Sequence, residues 1–194
     1  MPHISTDPSL PGIRALLAFR PDTATPMGEL ANILLRSDEG LTRAERELIA
    51  THVSYLNDCF YCHESHGATA ACYLGGNTGL VEAVKHDYRS AEISDKLKSL
   101  IAIAASVQRG GKNVTVRQVM DAKENGATDN DIHDTVLIAA MFCMFNRYVD
   151  GLGATTPPDL SSYALRARQI VENGYGNHVF TSQQPAVNSQ AAAN

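Results

Sequence analysis

Two cysteines, Cys59 and Cys62, stand in a C-x-x-C arrangement, followed at once by His63 and then by His66. Glu47 lies twelve residues before Cys59. A thiol is a poor nucleophile and its thiolate a good one, so a reactive cysteine needs a neighbour that lowers its pKa. Residues four apart share a helical face, which pairs Cys62 with His66 and Cys59 with His63. If the pair opens a helix, the unpaired N–H groups of the first turn and the helix dipole favour negative charge at Cys59. Glu47, on a preceding antiparallel helix, is placed to hold a histidine from behind, as third members of such relays do. The second thiol adds a step. A thiolate that attacks a peroxide becomes a sulfenic acid, and a neighbouring thiol condenses with it to a disulfide. Positions i and i+3 of a regular helix are slightly too far apart for relaxed disulfide geometry. With Cys59 at the helix start, the backbone has room to adjust. The same pair would also serve a protein disulfide reductase or a redox sensor.

Three other readings compete. The run from Cys59 to His63 fits the C-x-x-C-H of c-type haem attachment. Haem attachment belongs to exported chains, and the N-terminal residues lack the charged segment and apolar run of a signal peptide. A zinc site would use Cys59, Cys62 and one or both histidines in a structural helical oligomer. Structural zinc sites usually bring a second ligand pair from a distant segment, and the chain has no second C-x-x-C and no H-x-x-x-H. The third reading makes both cysteines packing residues. Cys72 and Cys143 fit that role better, because each sits inside an apolar helical pattern.

The elements that must position these groups are helical. Thr25-Pro26 reads as a helix start, with a capping residue and then proline at the first helical position. That helix continues through Met27, Leu30, Ile33 and Leu34 to about Ser37. Thr42 and Glu45 form a capping box for the next helix. Leu48, Ile49, Val53 and Leu56 make its apolar face, and Glu47, Thr51, Ser54 and Asp58 make a separate polar stripe, facing solvent or a polar pocket. Asn57-Asp58 marks a break and a fresh N-cap. Further helices are expected over 59–74, 79–88, 94–109, 115–124, from 128 or 129 to about 151, and 163–173, with glycines at most of their ends. The helix ending near Gly151 is apolar on nearly every face of its middle and should be central to the core or an interface. His52 reads as a satisfied core or interface histidine, and His86, His133 and His178 as solvated. No strand pattern is visible. The fold class is all-α, about seven helices joined by short loops. An N-terminal arm spans 1–25, with one short apolar piece over 13–19. A helical core spans 26–175, and a polar tail 176–194.

The chain has 194 residues, 44% of them hydrophobic and 19% charged, which suits one domain able to bury a core without disulfides. The net charge of −5 argues mildly against nucleic acid or an anionic membrane as partner. No stretch has the eighteen or so uninterrupted apolar residues of a membrane span. A cytoplasmic location is expected, where thiols stay reduced and a close cysteine pair is catalytic or metal-binding more often than structural.

The pattern Glu47, Cys59, Cys62, His66 (E-x11-C-x2-C-x3-H) resembles the alkylhydroperoxidase D-like and carboxymuconolactone decarboxylase superfamily, in its branch of uncharacterised peroxidase-related proteins. The segments GIRALLAFRP, LTRAERELIA and DTVLIAAMFCMFNRYVDGLG resemble the same branch, so the likeness covers about residues 10–175. It implies an all-helical fold that packs as a dimer, trimer or hexamer, and a thiol-dependent peroxidase cycle with no haem or metal. Carried over, Cys62 attacks a small hydroperoxide, Cys59 resolves, and Glu47 with His66 forms the proton relay, through water. An external dithiol would close the cycle. The hydroperoxidases often carry a histidine just before the second cysteine. Here that residue is Tyr61, and a histidine, His63, follows instead, so His63 and Tyr61 are accessory candidates. The decarboxylase branch acts on a lactone without depending on a cysteine pair, and the intact pair argues against that activity.

Overall fold

The computed structural model describes residues 1–175. Nine α-helices run through them: α1 Ile13–Phe19, α2 Pro21–Arg36, α3 Arg43–Leu56, α4 Phe60–Tyr73, α5 Thr78–Asp87, α6 Asp95–Arg109, α7 Val116–Glu124, α8 Asp129–Gly151 and α9 Leu160–Asn173. No strand is present among the described residues, so the expected all-α class holds. The sequence reading of about seven helices is low, in part because 13–19 folds as α1, with Ala15, Leu16 and Leu17 buried. The polar tail expected over 176–194, and His178 with it, lies outside the described residues.

The capping box expected at Thr42 and Glu45 forms, and two further helices start the same way. Thr42 and Glu45, Thr115 and Gln118, and Thr128 and Asp131 each close a reciprocal capping box, satisfying two otherwise orphaned amides per helix. One start departs. The helix expected to begin at Pro26 begins at Pro21, which takes the first-turn position, and Pro26 lies inside α2. Proline in a helix interior forgoes a backbone hydrogen bond. The earlier start offsets this by burying Ala24 against Leu17 beneath α1. At the other break, the cap of α4 is Cys59 rather than Asp58. Asp58 instead takes a left-handed backbone conformation, φ 58°, which aspartate tolerates better than most residues.

The core is assembled on α3, which packs against α4, α6 and α8, while α6 packs on α8. Leu48, Ile49 and Val53 of α3 meet Leu100, Ile103 and Ala104 of α6 and Ile138 and Phe142 of α8 in one cluster. The α8 helix is thus as central as its apolar middle implies. Leu56 departs from the expected apolar face and is 40% exposed.

Of the expected polar stripe, Asp58 lies past the end of α3 and is exposed, while the other three point inward: Glu47, Thr51 and Ser54 are buried. Each has an internal partner. Thr51 donates to the Glu47 carbonyl, and Ser54 Oγ accepts from Asn146 of α8. Beside the stripe, Arg46 is buried and donates to the carbonyls of Leu34, Glu39 and Leu41 and to the Asp134 carboxylate. This one guanidinium ties the α2–α3 connection and α8 to the first turn of α3, next to Glu47. No described helix is long and apolar enough to cross a membrane.

Candidate active site

The α3–α4 hairpin brings the sequence motif together. Cys59 sits at the N-cap of α4, with non-helical backbone (φ −90°, ψ 92°), and Cys62 follows in the first turn. The Cys59 amide donates to the Ser54 carbonyl at 3.1 Å, anchoring the cap to the end of α3. Both thiols are free and buried. Cys59 is sealed, whereas Cys62 faces a cavity of about 80 Å³. A hydrogen bond with the Cys62 sulfur, together with burial, pushes the Cys59 thiol far up, so Cys59 is held as a thiol. Its other neighbour is the Asp150 carboxyl at the end of α8. Burial, reinforced by the charge of Asp58, raises the Asp150 pKa above the usual carboxylate value, against the lowering effect of its bond with Cys59.

One turn along α4, His66 lines the same cavity. Its Nδ1 lies 2.7 Å from Glu47 Oε2, across the hairpin. A buried carboxylate at that distance from Nδ1 favours a proton there, which leaves Nε2 as the basic nitrogen. The imidazole meets Phe142 edge-on at 4.5 Å between centroids, which sets the plane of the ring.

Tyr175 is the residue the sequence reading missed. Its hydroxyl donates to Glu47 Oε1 at 2.6 Å and lies 3.2 Å from His66 Nδ1, and its ring stacks on the imidazole. Burial and the Glu47 charge push this phenol well above its ordinary pKa, so it stays a donor. The turn that delivers it is built around Gly174, at φ 82°, where an added Cβ would lie 2.5 Å from Asn32 Oδ1. Asn32 accepts from the Tyr175 amide, and Arg36 caps the carbonyls of Ile170 and Val171 at the end of α9. The signal available in sequence was only Gly-Tyr after an amphipathic helix.

The accessory candidates separate. Tyr61 lines the cavity, and its ring fills the space beside Gly12, where a Cβ would come within 2.2 Å of it. Burial pushes its hydroxyl pKa up to about 12, against the opposing charges of Arg14 and Arg166. His63 points elsewhere. It does not line the cavity with Cys62, and it packs edge-on against Tyr55 and Phe60. Its Nδ1 is 3.0 Å from Glu64 Oε1 but without hydrogen-bond alignment. Burial and the charge of Lys85 lower its pKa, with Glu64 opposing. The helical spacing that suggested a Cys59–His63 pair fails because Cys59 is the non-helical cap. His52 is a satisfied core histidine, bonded at Nδ1 to the Val84 carbonyl at 2.9 Å. Cys72 and Cys143 are half-buried rather than buried. No group of three His, Cys, Asp or Glu side chains converges on a metal position among the described residues.

A match to the carboxymuconolactone decarboxylase family covers residues 21–73 and 77–157. The chain belongs to this family. Two solved structures of similar size stand near it. One is an uncharacterized peroxidase-related protein from Ralstonia eutropha JMP134 with an alkylhydroperoxidase AhpD core, 30% identical over 81% of each chain, with a TM-score of 0.72. The other is an uncharacterized peroxidase-related protein from Silicibacter sp. TM1040, 27% identical over 79% of this chain and 78% of that one, with a TM-score of 0.71. The fold is also shared with a cysteine-to-alanine variant of the debrominase Bmp8 bound to 2,3,4-tribromopyrrole, at 16% identity over 81% of this chain and 83% of that one and a TM-score of 0.66. No curated protein matches the chain.

Proposed function

We propose that the protein is a thiol-dependent peroxidase that reduces small hydroperoxides through Cys62 and Cys59. The observation that carries this reading is the Glu47–His66–Tyr175 network on the wall of the cavity that Cys62 faces, with a second thiol held protonated beside it. His66 Nε2 takes the Cys62 proton through an intervening water. The Cys62 sulfur then attacks the outer oxygen of the hydroperoxide, the O–O bond breaks, and the leaving alkoxide takes that proton back as an alcohol. Cys62 is left as a sulfenic acid. Cys59 next gives its proton to Asp150, and its sulfur attacks the Cys62 sulfur. The disulfide forms and the hydroxyl leaves as water, taking a proton in turn. An external dithiol reduces the disulfide and is itself oxidised. The non-helical backbone at Cys59 supports this step, since a fully helical i, i+3 pair resists disulfide closure. A lactone decarboxylation gives no role to a second, sealed thiol packed beside the first.

Stopped-flow peroxide consumption tests the assignment. Cys62→Ser is expected to abolish turnover. Cys59→Ser is expected to consume a single equivalent and to leave a sulfenic acid that dimedone traps. A Cys62→Ser variant as fast as the parent would overturn the reading.

A further inference from the structure

Two arginines stand at the mouth of the Cys62 cavity. Arg14 of α1 and Arg166 of α9 line the inner chamber together with Cys62 and His66. The same two arginines, with Tyr61 and Ser65, also line an outer groove of about 550 Å³. They mark the junction of the two spaces. The inner chamber is otherwise walled mostly by apolar groups, among them Leu17, Met27, Phe142 and Ile170. Both arginines are half-buried.

Their charges are unmatched. Arg43, Arg46 and Arg117 form ion pairs, and neither Arg14 nor Arg166 does so among the described residues. Arg14 Nε is buried without a hydrogen-bond partner among those residues, and Arg166 donates to the neutral Gln169 at 3.1 Å. Residues 176–194 contain no Asp or Glu. The nearby carboxylates are already engaged, Glu47 by His66 and Tyr175 and Glu64 by Lys85. Two half-buried cations of one sign, side by side, are costly unless an anion joins them. Burial and the Arg14 charge both push the Arg166 guanidinium below its usual pKa.

We propose that Arg14 and Arg166 are the anion-binding end of the substrate site, and that the substrate is an organic hydroperoxide carrying a carboxylate. The carboxylate sits between the guanidiniums, whose planar forks suit it. The apolar body fills the chamber, and the peroxide reaches Cys62. The identity of the reacting end rests on the peroxidase reading; the anion site does not. The arginines also lie outside the family match, which begins at residue 21 and ends at 157. They therefore lie apart from the matched segments that carry the cysteine pair.

The test begins with binding, without turnover. Hexanoate and hexanamide, matched in length and differing in charge, are titrated calorimetrically into the Cys62→Ser protein. Hexanoate is expected to bind about ten-fold more tightly or better, and added salt is expected to erode that advantage while leaving hexanamide unchanged. Arg14→Gln with Arg166→Gln is expected to make the two ligands equal, with circular dichroism checking that the variant is folded. Equal binding to the unsubstituted arginine pair, insensitive to salt, overturns the anion site. The salt titration reads the site even where the double variant fails to fold. A second measurement then compares a carboxylate-bearing hydroperoxide with its neutral amide in the wild-type chain. A hexanoate preference with neither hydroperoxide consumed keeps the anion site and removes the peroxidase reading. Turnover of both at equal rates, with equal ligand binding, does the reverse.

Discussion

Removing the Tyr175 hydroxyl deprives Glu47 of one of its two partners without touching the cysteines. Hydrogen bonds to charged groups contribute about 1.5–3 kcal/mol, and about 1.4 kcal/mol is ten-fold in rate. Tyr175→Phe is therefore expected to slow Cys62 oxidation by roughly ten-fold, because Glu47 and His66 keep their own contact but lose its fixed geometry. Glu47→Gln should cost more, roughly a hundred-fold by the usual scale of general acid–base catalysis, since the amide no longer selects the His66 tautomer. Single-turnover peroxide kinetics check both, and a Tyr175→Phe protein as fast as the parent would separate Tyr175 from the relay. These residues were not equally legible. Cys62 and His66 could be read together because helical periodicity converts spacing into proximity, and Glu47 because the break at Asn57-Asp58 turns its helix back antiparallel to theirs. Tyr175 is separated from His66 by 109 positions, and no local pattern connects them. Asp150 was hidden for the same reason: only the packing of α8 on the hairpin brings its carboxyl to Cys59.

At the scale of elements, sequence patterns read helix interiors well and helix ends only where the deciding chemistry is local. The capping box at Thr42 was read because its chemistry lies within four residues; those at Thr115 and Thr128 follow the same local rule but were not read as boxes. Pro26 misled because the opposing gain, Ala24 buried against Leu17, comes from a different helix. The polar stripe of α3 left solvent and pocket undecided, and the packing of α4 and α8 over it decides for the interior. The turn after α9 makes the same point as a prediction. Gly174 has a positive φ with extended ψ (82°, −170°), a region essentially reserved for glycine, and is packed on Asn32 and Arg36, so Gly174→Ala carries both a backbone cost of about 1–3 kcal/mol and a clash. Denaturant unfolding should show that loss, and peroxide kinetics should fall at least as far as in Tyr175→Phe, since the turn aims Tyr175. Destabilisation with unchanged kinetics would mean that Tyr175 reaches Glu47 without this turn.

Across the whole molecule, the family-matched helices hold the cysteine pair and relay, while α1, α9 and the turn after it supply Arg14, Arg166 and Tyr175. The layer outside the match thus serves the relay, through Tyr175, as well as the proposed anion site, and the α3–α4–α5 packing buries His52 and half-buries His63. His52 lies between α3 and α5, its pKa lowered chiefly by burial and by Arg89, against the bond to the Val84 carbonyl. His63 shifts in the same direction. A base with a depressed folded pKa stays neutral in the native state after the unfolded chain has begun to take up a proton. Stability from these groups is therefore undiminished above about pH 6.5, the unfolded value, and falls as the pH drops from there toward the folded pKa. Each histidine adds at most about 1.4 kcal/mol per pH unit to that slope. Asp131 does not mask it. Burial raises its pKa, but bonds from Thr128 and the charges of Lys96 and Arg46 prevail and hold it below 3.8, so its contribution is lost only at lower pH. Urea unfolding from pH 7.5 to 5 should thus show falling stability in the parent and a shallower fall in His52→Gln, which retains a donor for Val84 but cannot titrate. Equal slopes would assign the acid sensitivity to His63 alone, and a parent that gains stability on acidification would contradict the burial of both.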